Sequence, residues 1–193
     1  MKNAPDSDLI WTENSTSLVH TTPIFNVEKS VCTSPAGKQS DFILLQAPDW
    51  VTVLPVLKKD DKNYFLMVRQ WRHGQKAVST EFPGGVIDKG ETPEEAARRE
   101  LLEETGCKTE NLVYLGWQNP NSAFMTNKTH FFAATDLNLT NQQNLDETEF
   151  LNASLIEAKE VFENMGHGEY RHALMSSALF MFVQKYGTEL FCR

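Results

Sequence analysis

Apolar positions along this chain recur with two different spacings. WVTVLPVL at 50–57 and YFLMVRQ at 64–70 are dense in Val, Leu and Phe, and they flank the polar KKDDKN, so they read as two strands of a hairpin. Strand-like runs follow at 112–118 and 129–134, and another begins near Phe150. Helical patterning takes over at 92–105. Its start carries Thr92 as N-cap, Pro93 in the first helical position and Glu95 three residues after the cap, a capping box that satisfies amide hydrogens left open at a helix start. Gly106 supplies the left-handed residue that ends it. Ser154 and Glu157 repeat the capping-box spacing and predict a helix to about Met165, and a strongly apolar helix is expected over 170–186. Strands mixed with helices that cover a sheet predict a layered α/β or α+β domain.

The first 47 residues read differently. They are rich in Ser, Thr and Pro, with two short β-like runs at 24–31 and 42–45 joined by the turn-forming SPAGK. A lone two-stranded ribbon is marginal in water. This N-terminal β extension is therefore expected to pack on the main domain or on a second subunit, dividing the chain into 1–47 and 48–193.

Composition narrows the partners. Apolar residues form 40% of the 193, near the globular average and enough for a real core. With 18 Lys and Arg against 26 Asp and Glu the net charge is −8, which opposes encounter with nucleic acid or an anionic membrane. Neither is an expected partner, and a polyanionic substrate would need local cations, from side chains or bound metal. Cys32, Cys107 and Cys192 form no C-x-x-C pair and fit reduced thiols. No apolar run approaches the ~20 residues of a membrane helix, and the opening MKNAPDSDLIW lacks the apolar core of a signal peptide. The expected compartment is the cytoplasm.

The stretch GVIDKGETPEEAARRELLEETGC, from Gly85 to Cys107, carries the chemistry. With about 100° per helical residue, Glu100, Glu103 and Glu104 fall within about 100° of one another, while Leu101, Leu102 and Thr105 are expected to face a core. Like charges four apart on a helix repel mildly. A helix with several Glu is most often a solvated face, but crowding carboxylates beside a Gly-rich loop suits a hard cation such as Mg²⁺, which prefers carboxylate and carbonyl oxygens.

These residues resemble the Nudix box, G-x5-E-x7-R-E-U-x-E-E-x-G-U, where U is aliphatic. Gly85, Glu91, Arg99, Glu100, Leu101, Glu103, Glu104 and Gly106 match it, and Cys107 stands in the last aliphatic position, where a buried Cys packs as a small hydrophobe. The resemblance implies the Nudix fold, an α/β/α sandwich around a mixed sheet. It also implies one to three divalent ions, Mg²⁺ or Mn²⁺ in its place, held against a diphosphate. By position Glu100 and Glu104 resemble the principal metal ligands, with Glu103 and the carbonyl of Gly84 as further ones. Arg99 and Glu91 resemble the ion pair that orients loop and helix. The chemistry implied is attack of a metal-activated water on phosphorus.

Flanking segments are similar to the ADP-ribose pyrophosphatase and nucleoside-diphosphate-sugar hydrolase branch. They are LMVRQWRHG, EFPGGVIDKGE, NPNSAFMTNKTHFFAA, LDETEF and GEYRHALMSSALF. In this branch a β extension makes homodimers and an Arg at the position of Arg72 contacts phosphate, a task suited to a guanidinium fork. Arg69 is a second candidate or a surface charge. The branch places a general base on the loop that holds Glu147 and Glu149, and the residues do not choose between them. Trp11, Trp50 and Trp71 are expected to be structural, and His73, His130 and His172 show no metal-ligand spacing. The expected substrate is a small nucleoside diphosphate conjugate, such as ADP-ribose or a nucleoside diphosphate sugar. A triphosphate or dinucleoside polyphosphate hydrolase, and a non-catalytic metabolite sensor, remain as alternatives.

Overall fold

The computed structural model describes residues 5–140, 145 and 150–191. Its contacts divide the chain into two compact units, Met1–Pro48 with Asn119–Lys128, and Asp49–Gln118 with Thr129–Arg193. The N-terminal unit thus takes in the NPNSAFMTNK segment as well as the extension.

In the first unit, β1 (Thr12–Thr21), β2 (Asn26–Thr33) and β3 (Gln39–Gln46) form an antiparallel meander in that order. The SPAGK turn closes as expected, with the Gly37 amide donating to the Ser34 carbonyl at 2.8 Å and the Lys38 amide to the Ser34 hydroxyl at 3.0 Å. Strand β1 was not anticipated. Its residues TENSTSLVHT are exposed at every position, so there is no alternation to read, and what holds it is ladder pairing with β2. Leu45 of β3 also exchanges backbone hydrogen bonds with Phe124 and Thr126.

The second unit is built on a mixed six-stranded sheet. Strand β4 (Trp50–Lys59) turns through Asp60 and Asp61, both at positive φ, into β5 (Lys62–Arg72), then β6 (Ala77–Glu81) follows. After α1 (Pro93–Thr105) come β7 (Cys107–Gln118), β8 (Thr129–Leu139) and β9 (Leu151–Glu157), then α2 (Ala158–Asn164) and α3 (Ala173–Tyr186). The strand order is β6-β5-β4-β8-β7, with β9 paired to β5 off this path and the β4–β8 pair parallel. Period-2 alternation sorts the strands onto two layers. Val51, Val53, Leu66, Phe132 and Ala134 face Ala96, Ala97 and Leu101 of α1. Leu54, Phe65, Met67, Phe131 and Ala133 face Val161 of α2 and Ala178, Leu179 and Phe182 of α3. Phe65, fully buried, meets Phe82 and Phe182 edge to face at 5.1 and 5.5 Å. Burying such a ring contributes about 2–3 kcal/mol before the ring–ring terms. This is the expected α/β/α sandwich.

Two elements differ from the sequence reading. Ser154 does not open a helix: it lies in β9 opposite Met67, and α2 starts only at Ala158 with no side-chain cap. Pairing of Tyr64–Gln70 with Leu151–Glu157 outcompetes the local capping-box preference, because it satisfies a whole row of backbone groups. Strand β6 is five residues long and follows directly on a turn, too short for a periodic signal.

Candidate active site

The site is assembled on the second unit, where the chain leaves β6 and enters α1. Gly85 and Pro83 carbonyls accept from the Val51 and Val53 amides at 2.9 Å each, and the Ile87 amide donates to Asp49, so the loop lies along β4 like a half-strand. The loop is then pressed against the helix. A Cβ on Gly84 would stand 2.2 Å from the Val51 carbonyl oxygen, and one on Gly85 would stand 2.4 Å from Oε1 of Glu100. At Gly84 the close atoms are β4 backbone and only glycine fits, whereas at Gly85 the missing side chain lets the Glu100 carboxylate close on the loop.

Helix α1 forms as its sequence predicts. The Thr92–Glu95 capping box is present in full, Pro93 takes the first turn, and Gly106 caps the end at φ 66° with its amide donating to Leu102. Its buried stripe is a finding, however. Ala96, Ala97, Glu100, Leu101, Glu104 and Thr105 are buried, whereas Leu102 is only half-buried. The stripe, at about 100° per residue, centres near Glu104 and Ala97, so two carboxylates lie in the middle of the inward face instead of beside it. Glu100 is 8% exposed and Glu104 3%.

Arg99 gathers the acidic groups. Its Nε and Nη2 donate to the two carboxylate oxygens of Glu91 at 2.9 Å each, Nη2 also to the Val86 carbonyl at 2.9 Å. Its Nη1 donates to Glu100 at 2.8 Å and Glu103 at 3.0 Å. The guanidinium beside Glu91 holds that carboxyl below the ordinary glutamate range, and Glu91 in turn holds Arg99 more firmly protonated. Glu104 accepts the Gly84 amide at 2.9 Å. Glu91 also accepts the Asp88 amide at 3.1 Å within the loop, and through Arg99 it ties that loop to the helix.

Among the described residues no three carboxylate, imidazole or thiol groups converge on one point. One oxygen of Glu100 and one of Glu103 accept from Arg99, and one of Glu104 accepts from Gly84. The donor chemistry nevertheless fits a hard cation. Glu91, Glu100 and Glu103 surround the Arg99 guanidinium, Glu104 lies beneath the loop on the Gly84 amide, and Glu100 and Glu104 are nearly closed to water.

A cleft of about 260 Å³ opens alongside this loop, bounded in part by Trp50, Arg72, Phe82 and Gly84–Val86. Arg72 reaches it as an ion pair with Glu81, Nε to Oε1 at 2.9 Å and Nη2 to Oε2 at 2.5 Å. Burial pushes the Glu81 carboxyl up, and the hydrogen bonds and charge of Arg72 outweigh it, so the group stays below the ordinary range. Arg69, three residues away on β5, points to the opposite face. There it grips Glu169 through two hydrogen bonds of 3.1 and 2.8 Å, on a shallow groove shared with Trp71 and Phe150. Glu147 and Glu149 lie outside the described residues.

The sequence reading did not single out Glu81, Glu169 or His172 as members of these sites. Each acts through a partner distant in sequence, and no spacing signals that. Cys107 is 1% exposed in the α1 core, and burial pushes its thiol up, in keeping with a packing role.

The geometry agrees with what comparison finds. The NUDIX domain model matches residues 48–175. The chain is 33% identical over 139 residues to the ADP-ribose pyrophosphatase of Bacillus subtilis, covering 67% of this chain and 74% of that one. It is 37% identical over 91 residues to the ADP-sugar pyrophosphatase of Mus musculus, covering 43% and 42% respectively. A crystal structure of an ADP compounds hydrolase superposes with a TM-score of 0.79 at 24% identity, over 92% of this chain and 96% of that one, and so shares the fold. The box on α1, the mixed sheet that presents it and the family match lead to one assignment: this chain belongs to the NUDIX domain family and is a Nudix hydrolase.

Proposed function

We propose that the chain hydrolyses the pyrophosphate bond of a nucleoside diphosphate conjugate, ADP-ribose or a nucleoside diphosphate sugar, to a nucleoside monophosphate and a sugar phosphate, with Mg²⁺. The observation that carries this reading is the packing of Glu100 and Glu104 under the Gly84–Gly85 loop, with an arginine-bearing cleft alongside. The similarity to enzymes named for ADP-ribose and ADP-sugars supports the substrate class.

Glu100, Glu104, Glu103 and the Gly84 carbonyl would hold the metal. When bound, Mg²⁺ would acidify water and offset charge on the phosphoryl oxygens, and Mn²⁺ can take the same donors. Arg99, fixed on Glu91, holds Glu100 and Glu103 in place and shields part of their mutual repulsion. Arg72 presents a guanidinium to the phosphates, oriented by Glu81, whereas Arg69, turned to the opposite face and held by Glu169, is left out of the phosphate site. Glu147 or Glu149 takes the proton of the attacking water, within about 2.6–3.2 Å in the competent complex.

The exposed apolar side chains Trp11, Leu18, Val19, Phe42 and Ile43 on the β1–β3 sheet support a homodimer through this unit. Among the described residues no helix is long and apolar enough to cross a membrane. The free thiols of Cys32 and Cys107 support a reducing compartment, the cytoplasm.

The test is a panel of ADP-ribose, ADP-glucose, UDP-glucose, GDP-mannose, ATP and diadenosine polyphosphates with Mg²⁺, products read by chromatography, with Glu104→Gln as control. Nucleoside monophosphate plus sugar phosphate from the conjugates, lost by about 10²–10⁴ in the variant, is the expected result. Preference for ATP or a dinucleoside polyphosphate would overturn the substrate class.

A further inference from the structure

The cleft beside the Gly84–Gly85 loop is also lined by His172, and its Nδ1 is enclosed by protein with no hydrogen-bond partner among the described residues. Buried polar atoms in folded proteins are nearly always paired, so an exception points to something that arrives later.

The imidazole is not on a loose segment. The Thr80 amide donates to the Glu169 carbonyl at 2.9 Å, Arg69 and the Thr80 hydroxyl hold the Glu169 carboxylate, and the Met175 amide donates to the His172 carbonyl at 3.0 Å. His172 stands at the N-cap of α3, yet its side chain makes no capping hydrogen bond. The backbone around His172 is therefore anchored, and the Nδ1 of its ring makes no hydrogen bond among the described residues. Burial pushes its pKa down, Glu81 partly offsets this, and Arg72 lowers it again, so the ring is neutral at physiological pH. A neutral imidazole offers one donor and one acceptor, which suits a hydroxyl that can do either.

The cleft's size and walls narrow the ligand. About 260 Å³ falls below the ~300–1,000 Å³ of sites that enclose a drug-sized molecule, so the cleft suits one part of a conjugate better than the whole. Phe82, Leu174 and Met175 give it apolar walls, and Arg72 stands ready for the attached phosphate. We propose that His172 is a specificity-determining residue, hydrogen-bonding through its imidazole to a hydroxyl of the sugar joined to the diphosphate opposite the nucleoside. This rests on the pyrophosphatase reading above and adds the group that recognises the second half of the substrate.

The experiment compares ADP-ribose with adenosine 5′-(P²-methyl) diphosphate, which keeps the nucleoside and diphosphate but has no second sugar. The readout is the ratio of kcat/KM for the two in wild type, His172→Phe and His172→Ser. Phe keeps a ring and removes both nitrogens. Ser is a favoured N-cap residue too short to fill the cleft, so it covers the case in which the Phe variant fails to fold. The expected result is a wild-type preference for ADP-ribose that shrinks by about tenfold in either variant, through KM. Structural damage alone would lower both substrates together and leave the ratio as it was. An unchanged ratio in a folded variant, with wild type active, overturns the role of His172 and leaves the pyrophosphatase reading intact. Wild type inactive on both compounds overturns both.

Discussion

Gly85→Ala is the sharpest perturbation of the carboxylate cluster, because it adds one methyl group directly against it. The new Cβ would stand 2.4 Å from Oε1 of Glu100 and 2.8 Å from its Cδ, whereas ordinary contact begins at 3.4 Å. The carboxylate must therefore retreat by about 1 Å, which is cheap for the end of a side chain and leaves the backbone untouched. Gly85 is also not at positive φ, so Ala adds no backbone strain. The fold should lose under about 1 kcal/mol, a fall in Tm below about 4 °C for a chain of this size. A ligand displaced by 1 Å is far more serious for chemistry, on the order of 10²-fold in turnover or about 2.7 kcal/mol of barrier. Gly84→Ala provides the contrast. There the Cβ meets the Val51 carbonyl at 2.2 Å and Thr52 Cα at 2.9 Å, both backbone of β4, and the residue is at φ +156°. That variant should lose at least about 2 kcal/mol of stability. The assay is a Mg²⁺ titration of ADP-ribose hydrolysis beside a thermal melt. A folded Gly85→Ala enzyme with wild-type turnover and wild-type Mg²⁺ requirement would refute the placement of Glu100 as a ligand.

Three further outcomes are expected. Because Arg72 holds the Glu81 carboxyl below its ordinary 4.5, the stability from this pair is complete above pH 4.5 and is lost as pH falls below it. In Arg72→Gln the largest influence left on Glu81 is burial, against only the smaller lowering effects of Ser79 and His172, so its folded pKa should rise above the unfolded value. The variant should then lose about 1–3 kcal/mol at pH 7, less after allowing for the exposure of Arg72, and little at pH 4; equal losses at both pH values in urea melts would contradict this. Deleting residues 1–47 should convert a dimer into a weaker dimer or monomer in sedimentation, and an intact chain that is monomeric at micromolar concentration would rule the dimer out. Glu147→Gln and Glu149→Gln, made separately, should lower kcat strongly in one case and little in the other with Mg²⁺ affinity retained; if both stay within about threefold of wild type, the base is elsewhere, and Glu103 is the next residue to test.

Local chemistry made much of this protein legible in one dimension. The α1 helix could be bounded to the residue because its start and stop are set by neighbours: Thr92 and Glu95 cap each other, and Gly106 takes the left-handed turn. The two β4–β5 strands were equally plain, being continuous apolar runs around a polar hairpin. The box residues announced their chemistry because Arg99, Glu100, Glu103 and Glu104 lie within about one and a half turns of one helix. Tertiary structure decided what depends on partners far along the chain. Ser154 and Glu157 satisfy a helix-start rule locally, yet pairing with β5 makes them strand. Strand β1, exposed throughout, exists only because β2 offers it a ladder. The arginines show the same division most clearly, since Arg69 and Arg72 look alike in LMVRQWRHG. Strand alternation sends one to Glu169 across 100 residues and the other to Glu81 beside the cleft, and only the folded chain brings those two carboxylates to them.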